Sequence, residues 1–270
     1  MTGLPNESSL IHRAARLCWP REHGSWSLAL EPVALGLLTA PSTAGAALGA
    51  AVFAAFFLRR PWRLLLAGGD DPRRRLALGC VAVVGAAAAA GLTAAAVLAG
   101  PDRLWPLLLA APPGALYVWL DSRGEARAAG AELAGVGAFA AVPAAIGATG
   151  GWPAGPALAL GAVMLCRSVP AVMTIRAWLR SNKGEIVPVI PAAVAAVAAP
   201  AAAALLAAAG LAPWTGPWIM AVFLARTAIL LGPWNLRWSA SRLGLAESVL
   251  GGLAMVVLAA SWPAFQGVSV

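Results

Sequence analysis

Several ionisable side chains lie within or beside long apolar stretches of this 270-residue sequence. The members of this set that could best hold a ligand or carry a proton are His23, Glu31, Arg59, Arg167, Arg176 and Arg226. An ionisable group at membrane depth costs about 2.5–3.5 kcal/mol on insertion scales, so it normally faces a bundle interior or a wet cavity. Arginines outnumber carboxylates here, which favours an anionic or amphiphilic ligand.

Internal pairing is the alternative explanation for the same charges. Glu31 or Glu247 could pair with Arg167 or Arg226 and serve only to hold helices together. Pro170 follows Arg167 by three residues and predicts a kink there, because proline removes a helix hydrogen bond. Both explanations are kept as hypotheses.

The composition identifies the solvent in which these residues must be arranged. Apolar residues make up 60% of the chain and charged residues only 11%, with a mean hydropathy of +0.79. Soluble domains carry roughly 25% charged residues. The sequence therefore predicts an all-α membrane protein whose partner is the lipid bilayer.

The net charge of +8 does not indicate nucleic-acid binding. The basic residues occur in groups between apolar runs, as in membrane proteins, and do not form a continuous basic face. Three cysteines and two histidines at unrelated spacings predict no metal site, and no cofactor motif is present. Nothing in the sequence indicates an oligomeric state.

Nine apolar segments are long enough, or nearly so, to span a hydrocarbon core that needs about 20 residues. They are 24–41, 43–59, 76–99, 104–120, 131–149, 154–176, 187–209, 213–232 and 245–264. Glycine and proline separate them in every second loop, and arginines fill the alternate loops. The positive-inside rule then places the arginine-rich loops in the cytoplasm.

This topology predicts one transmembrane domain at 24–264, with a cytoplasmic N-terminal segment at 1–23 and a short outward tail at 265–270. The alternative, a cleavable signal peptide in place of span one, is disfavoured by the long polar leader and by Glu31-Pro32 within the apolar stretch. Most ionisable residues inside or beside the spans fall in the cytoplasmic half. We therefore expect a polar pocket that opens to the cytoplasm.

The N-terminal segment resembles the signature of the YwiC-like bacterial membrane proteins. The residues concerned are Trp19-Pro20-Arg21-Glu22-His23-Gly24-Ser25-Trp26, followed by Leu30-Glu31-Pro32 and Gly36, then by Arg59 with Pro61-Trp62 and by Arg167-Ser168-Val169-Pro170 with Arg176 and Arg180. The resemblance implies a multi-pass protein of the bacterial plasma membrane. It implies no activity, because the family has none established.

The architecture is also similar, more weakly, to UbiA-type prenyltransferases, in which two Asp-rich loops hold Mg²⁺ against a diphosphate. Here the loop after span two offers only Asp70-Asp71, and the loop after span six offers Glu185 alone. Mg²⁺ requires well-placed oxygen ligands in octahedral geometry. The fold could be shared, but magnesium-dependent prenyl transfer is disfavoured.

Three functions are compatible with these patterns. The first is a non-enzymatic protein that binds or transports a small anionic or amphiphilic molecule through the cytoplasm-facing pocket, with Glu31 or His23 responding to protons. The second is a divergent UbiA-like enzyme that modifies a lipid. The third is a structural or assembly protein whose charges pair with one another.

Overall fold

A computed structural model of the chain describes Leu17 and residues 24–66, 71–233 and 238–267. Within these ranges it contains nine α-helices, one short 3-10 turn at Pro101–Leu104 and no β-strand. The helices are α1 Gly24–Thr39, α2 Thr43–Leu66, α3 Arg74–Ala99, α4 Leu107–Ser122, α5 Ala129–Thr149, α6 Ala154–Ser181, α7 Ile190–Ala208, α8 Thr215–Leu231 and α9 Ala240–Gly267.

Each helix coincides with one of the nine predicted spans, so the predicted all-α membrane bundle is confirmed. Six helices of the described chain are long and apolar enough to cross a bilayer: α2, α3, α5, α6, α7 and α9. Two more, α1 and α8, are apolar but shorter. This is a multi-pass membrane protein.

Successive helices run in opposite directions, which brings alternate loops to the same end. In α4 and α5, for example, Tyr117 lies beside Gly135 while Pro113 lies beside Gly137. The loops that follow α2, α4, α6 and α8 share one end, which we call the arginine-rich end. The five predicted site residues that the structure describes lie at this end or in the interior next to it.

Glycines allow close helix contacts at only some of their positions in α3. A Cβ at Gly91 of α3 would lie 2.9 Å from the carbonyl oxygen of Ala47 in α2, so only glycine permits this approach. By contrast, a Cβ at Gly79 or Gly85 would meet nothing within 4 Å. The small residues of α3 therefore include both a packing face and an open face.

The largest buried cluster joins α1, α5, α6, α7, α8 and α9. Its bulky members include Trp262, Leu35, Met164, Met220 and Leu258, all at most 1% exposed. In α6 the helix continues through Pro170 from Ala154 to Ser181. The core thereby fixes the position of α6, the helix that carries two of the six predicted site residues.

Candidate functional site

Glu31 of α1 and Arg167 of α6 form an ion pair inside the bundle. Nη2 of Arg167 donates a hydrogen bond to Oε1 of Glu31 at 2.9 Å. Nε of Arg167 lies 2.8 Å from Oε2, although it is not aligned for a second hydrogen bond. Both side chains are only 6% exposed. The carboxylate and the guanidinium therefore neutralise each other away from solvent.

Helix α9 covers this ion pair with a glycine. A Cβ at position 251 would lie closer than 3.0 Å both to Oε1 of Glu31 and to Nη2 of Arg167. At the next position, Gly252, a Cβ would meet nothing within 4 Å. Only Gly251 is therefore required for α9 to approach the pair.

A second ion pair joins α8 to α9. Nε of Arg226 donates to Oε1 of Glu247 at 2.6 Å, and Nη2 of the same arginine contacts Oε2. The two side chains are 12% and 13% exposed. Glu247 precedes Gly251 by four residues, which is about one helical turn. One face of α9 therefore contacts both ion pairs.

The ring of Phe223 lies beside both guanidinium groups. Its centroid is 4.9 Å from Cζ of Arg167 and 5.9 Å from Cζ of Arg226. Cation–π contacts at such distances stabilise partly desolvated arginines. We call the four paired residues, Glu31, Arg167, Arg226 and Glu247, the interior charge centre; its formal charges sum to zero.

Two buried threonines extend the interior charge centre towards the arginine-rich end. Oγ1 of Thr174 in α6 and Oγ1 of Thr227 in α8 are 3.1 Å apart. Nη1 of Arg226 lies 3.4 Å from the same Thr227 oxygen, which in turn donates to the carbonyl oxygen of Phe223. These bonds connect α6 to α8 by polar side chains.

Arg176 lies elsewhere, at the arginine-rich end of α6. Its Nη1 donates to Oε2 of Glu132 at 3.0 Å and to the carbonyl oxygen of Arg127 at 2.5 Å. Nine residues of helix separate it from Arg167, a distance of about 14 Å along the axis. The predicted residues of α6 therefore belong to two separate places.

A cleft of about 180 Å³ opens beside Arg176, between α5, α6 and α7. Most of its lining is apolar, including Leu133, Val172, Met173 and Pro188. Arg180 also lines the cleft, and its Nε donates to Oε2 of Glu185 at 2.6 Å. We call this the α5–α7 cleft.

Arg59 occupies a third place, where α2 and α4 end side by side. Its Cζ lies 5.2 Å from the centroid of the Tyr117 ring. One turn further along each helix, Nη1 of Arg63 lies 4.0 Å from Oδ1 of Asp121. The remaining predicted site residue, His23, is outside the described residues.

Asp71 lies in the loop before α3, and its neighbour Asp70 is outside the described residues. The Arg73 guanidinium hydrogen-bonds the Asp71 carboxylate through Nε at 3.0 Å and Nη2 at 2.7 Å. These bonds lower the pKa of Asp71 to about 2. Among the described residues, no group of three His, Cys, Asp or Glu side chains could hold a metal ion.

Four residues of the site were not predicted from the sequence: Phe223, Gly251, Thr174 and Thr227. Gly251 carried a usable signal, because it follows Glu247 by one helical turn within an apolar span. The other three are ordinary residues of apolar spans. Only the lateral order of the helices brings them to the charges.

Residues 19–146 match the family model described as YwiC-like protein. This part of the chain is similar to the YwiC-like family. The match confirms the resemblance based on the N-terminal signature, and it contains Glu31 and Arg59. The other partners of the ion pairs, Arg167, Arg226 and Glu247, follow the YwiC-like region. No curated protein and no solved structure matches the chain, so the similarity to UbiA-type bundles stays a prediction.

Proposed function

We propose that this YwiC-like membrane protein binds, and in doing so can transport, a small anionic or amphiphilic molecule at its arginine-rich end. The positive-inside rule makes that end cytoplasmic in a bacterial plasma membrane. The observation that carries the proposal is the α5–α7 cleft, where apolar walls lie directly beside Arg176.

The shape of the cleft favours an anionic head attached to a short apolar body. An engineered apolar cavity of about 150 Å³ accepts benzene, so a cleft of about 180 Å³ accepts one ring or a short length of alkyl chain. Among the described residues, Arg176 uses only Nη1 for hydrogen bonds. Its Nε and Nη2 can therefore bind a carboxylate or phosphate, and Arg180 adds a second positive charge.

The interior charge centre has a different part in this proposal. In the described structure its arginines already bind Glu31 and Glu247, so an external anion would have to displace a carboxylate. Because α6 carries both Arg167 and Arg176, a movement of α6 on ligand binding would act on the interior pair. We propose Glu31, Arg167 and Arg226 as the elements that couple the cleft to the other helices.

A titration of the purified protein in a neutral detergent tests the proposal. We expect decanoate and decyl phosphate to bind more tightly than inorganic phosphate, because only their alkyl chains also contact the apolar walls of the α5–α7 cleft. The Arg176→Gln substitution should weaken this binding about tenfold or more, since it removes a charged hydrogen-bond donor.

Lys183→Gln is the matched control, because Lys183 carries the same charge in the exposed loop after α6 but does not line the cleft. An equal loss of affinity in both variants would mean that the anion responds to general surface charge. That result would refute a site at Arg176.

A structural role is the second candidate, and the two interior ion pairs favour it. Under that role Arg167→Gln should lower the abundance of the protein in membranes, because Glu31 is left buried without its cation. Arg176→Gln should then leave both abundance and growth unchanged. The UbiA-like enzyme alternative gains no support here, because the Asp71 carboxylate already forms an ion pair with Arg73.

A further inference from the structure

One oxygen of a buried carboxylate at the end of α4 has no hydrogen-bond donor among the described residues. Asp121 is 8% exposed, and its Oδ1 is buried. Among the described residues, Nη1 of Arg63 lies 4.0 Å from this oxygen, which is too long for a hydrogen bond. An unsatisfied buried charge is unfavourable, and the negative end of the α4 dipole adds to the cost. Within the described part of the chain, this oxygen therefore has no positively charged donor at hydrogen-bond distance.

Two arginines of α2 face the same corner of the bundle. Arg59 and Arg63 are one turn apart, and they lie beside Tyr117 and Asp121, which are one turn apart on α4. The Arg63 side chain is 54% exposed, and Arg59 is half-buried. The corner thus presents two cations next to one carboxylate, with Arg63 accessible from outside.

The depth of this corner matches that of lipid headgroups. Trp62 of α2 and Trp119 of α4 are 45% and 49% exposed, and each lies within a few residues of the charges. Exposed tryptophans are typical of the interface between hydrocarbon and water. The guanidinium of Arg123 also lies over the Trp119 ring, with 4.1 Å from Cζ to the centroid.

We propose that this corner binds the headgroup of a phospholipid with a primary ammonium, of the phosphatidylethanolamine type. The phosphate would bind Arg63 and Arg59, and the ammonium would donate to Oδ1 of Asp121. A simple anion would be repelled by Asp121, and a simple cation by the two arginines. A zwitterion with N–H donors satisfies all three groups. The site is independent of the α5–α7 cleft.

A series of lipids that differ only in N-methylation tests this assignment. The protein is placed in nanodiscs of phosphatidylglycerol that contain a small fraction of phosphatidylethanolamine or of its monomethyl, dimethyl or trimethyl form, and retained lipid is counted by native mass spectrometry. The headgroup charge is constant along this series, while the number of N–H donors falls from three to none. We expect retention to fall about tenfold from the first lipid to the last, in step with the loss of a charged hydrogen bond.

Variants locate the effect. Asp121→Asn should abolish the preference within the series, while Arg63→Gln should lower retention of all four lipids through the phosphate. Glu125→Gln is the control, because Glu125 is an exposed carboxylate four residues further along the chain, beyond the end of α4. Equal retention of all four lipids by the wild-type protein overturns the proposal without any variant. A Glu125→Gln profile that matches the Asp121→Asn profile would also overturn it.

Discussion

Replacement of Gly251 with alanine probes the interior charge centre without removing a charge. The added Cβ would lie closer than 3.0 Å to the Glu31 carboxylate and to the Arg167 guanidinium. Either α9 must move away or the ion pair must break. Gly252→Ala is the matched control, because the same methyl group on the same helix would meet nothing within 4 Å.

The expected size of the effect follows from two opposing contributions. Alanine in place of glycine within a helix is favourable by about 0.5–1 kcal/mol. Disruption of a buried ion pair costs about 3–5 kcal/mol, because it leaves uncompensated charges in a low-dielectric interior. Gly251→Ala should therefore lower the free energy of unfolding by about 2–4 kcal/mol, whereas Gly252→Ala should leave it unchanged or slightly raised.

Unfolding of the purified protein in mixed micelles, followed by far-ultraviolet circular dichroism as the fraction of denaturing detergent rises, measures both variants. A Glu31→Ala background supplies a further check, because the shortened side chain makes room for the methyl group. The cost of Gly251→Ala should shrink there by about 1–3 kcal/mol. Equal stabilities of the two alanine variants would refute the close approach of α9 to the pair.

Three further predictions concern other parts of the molecule. Arg226→Gln should destabilise the protein by about 3–5 kcal/mol in the same unfolding assay, while the double substitution of Arg226 and Glu247 by leucine should cost far less. A carbon-13 NMR titration should find the Asp71 carboxyl titrating near pH 2. The ion pair of Asp71 with Arg73 is then present above about pH 4 and is lost as the pH falls through 2. Arg73→Gln should return the pKa of Asp71 to about 3.9. A reporter enzyme that works only outside the cytoplasm should be active when fused to the C-terminus, whereas an active cytoplasmic reporter would contradict the nine-span topology.

The sequence predicted the helices well because apolar length is a local property. The differences between prediction and structure lie at the ends of the spans. The second predicted span stops at Arg59, but α2 continues to Leu66, because arginine stems can lie along apolar surface while their charges reach water. The fourth was predicted from residue 104, whereas a 3-10 turn occupies Pro101–Leu104 and α4 begins at Leu107, directly after Pro106.

The partners inside the bundle could not be predicted in the same way. The sequence allowed Glu31 or Glu247 to pair with Arg167 or Arg226, and the structure selects one arrangement of the two pairs. That choice depends on which helices are neighbours and how each is rotated. The small residue needed at Gly251 depends on the same information. The neighbours and rotation of each helix are determined jointly by residues far apart in the chain, so no local sequence pattern predicts them.

The separation of Glu31 from Arg167 along the chain has a consequence for biosynthesis. The pair spans 136 residues, whereas Arg226 and Glu247 are 21 residues apart. At about 5–20 residues per second, the ribosome needs about 7–27 seconds after making α1 before Arg167 exists. During that interval α1 enters the membrane with its carboxylate uncompensated, so early insertion depends on protonation of Glu31 or on a host for it in the insertion machinery. The first of the described helices thus gains its ion-pair partner only when the sixth has been made.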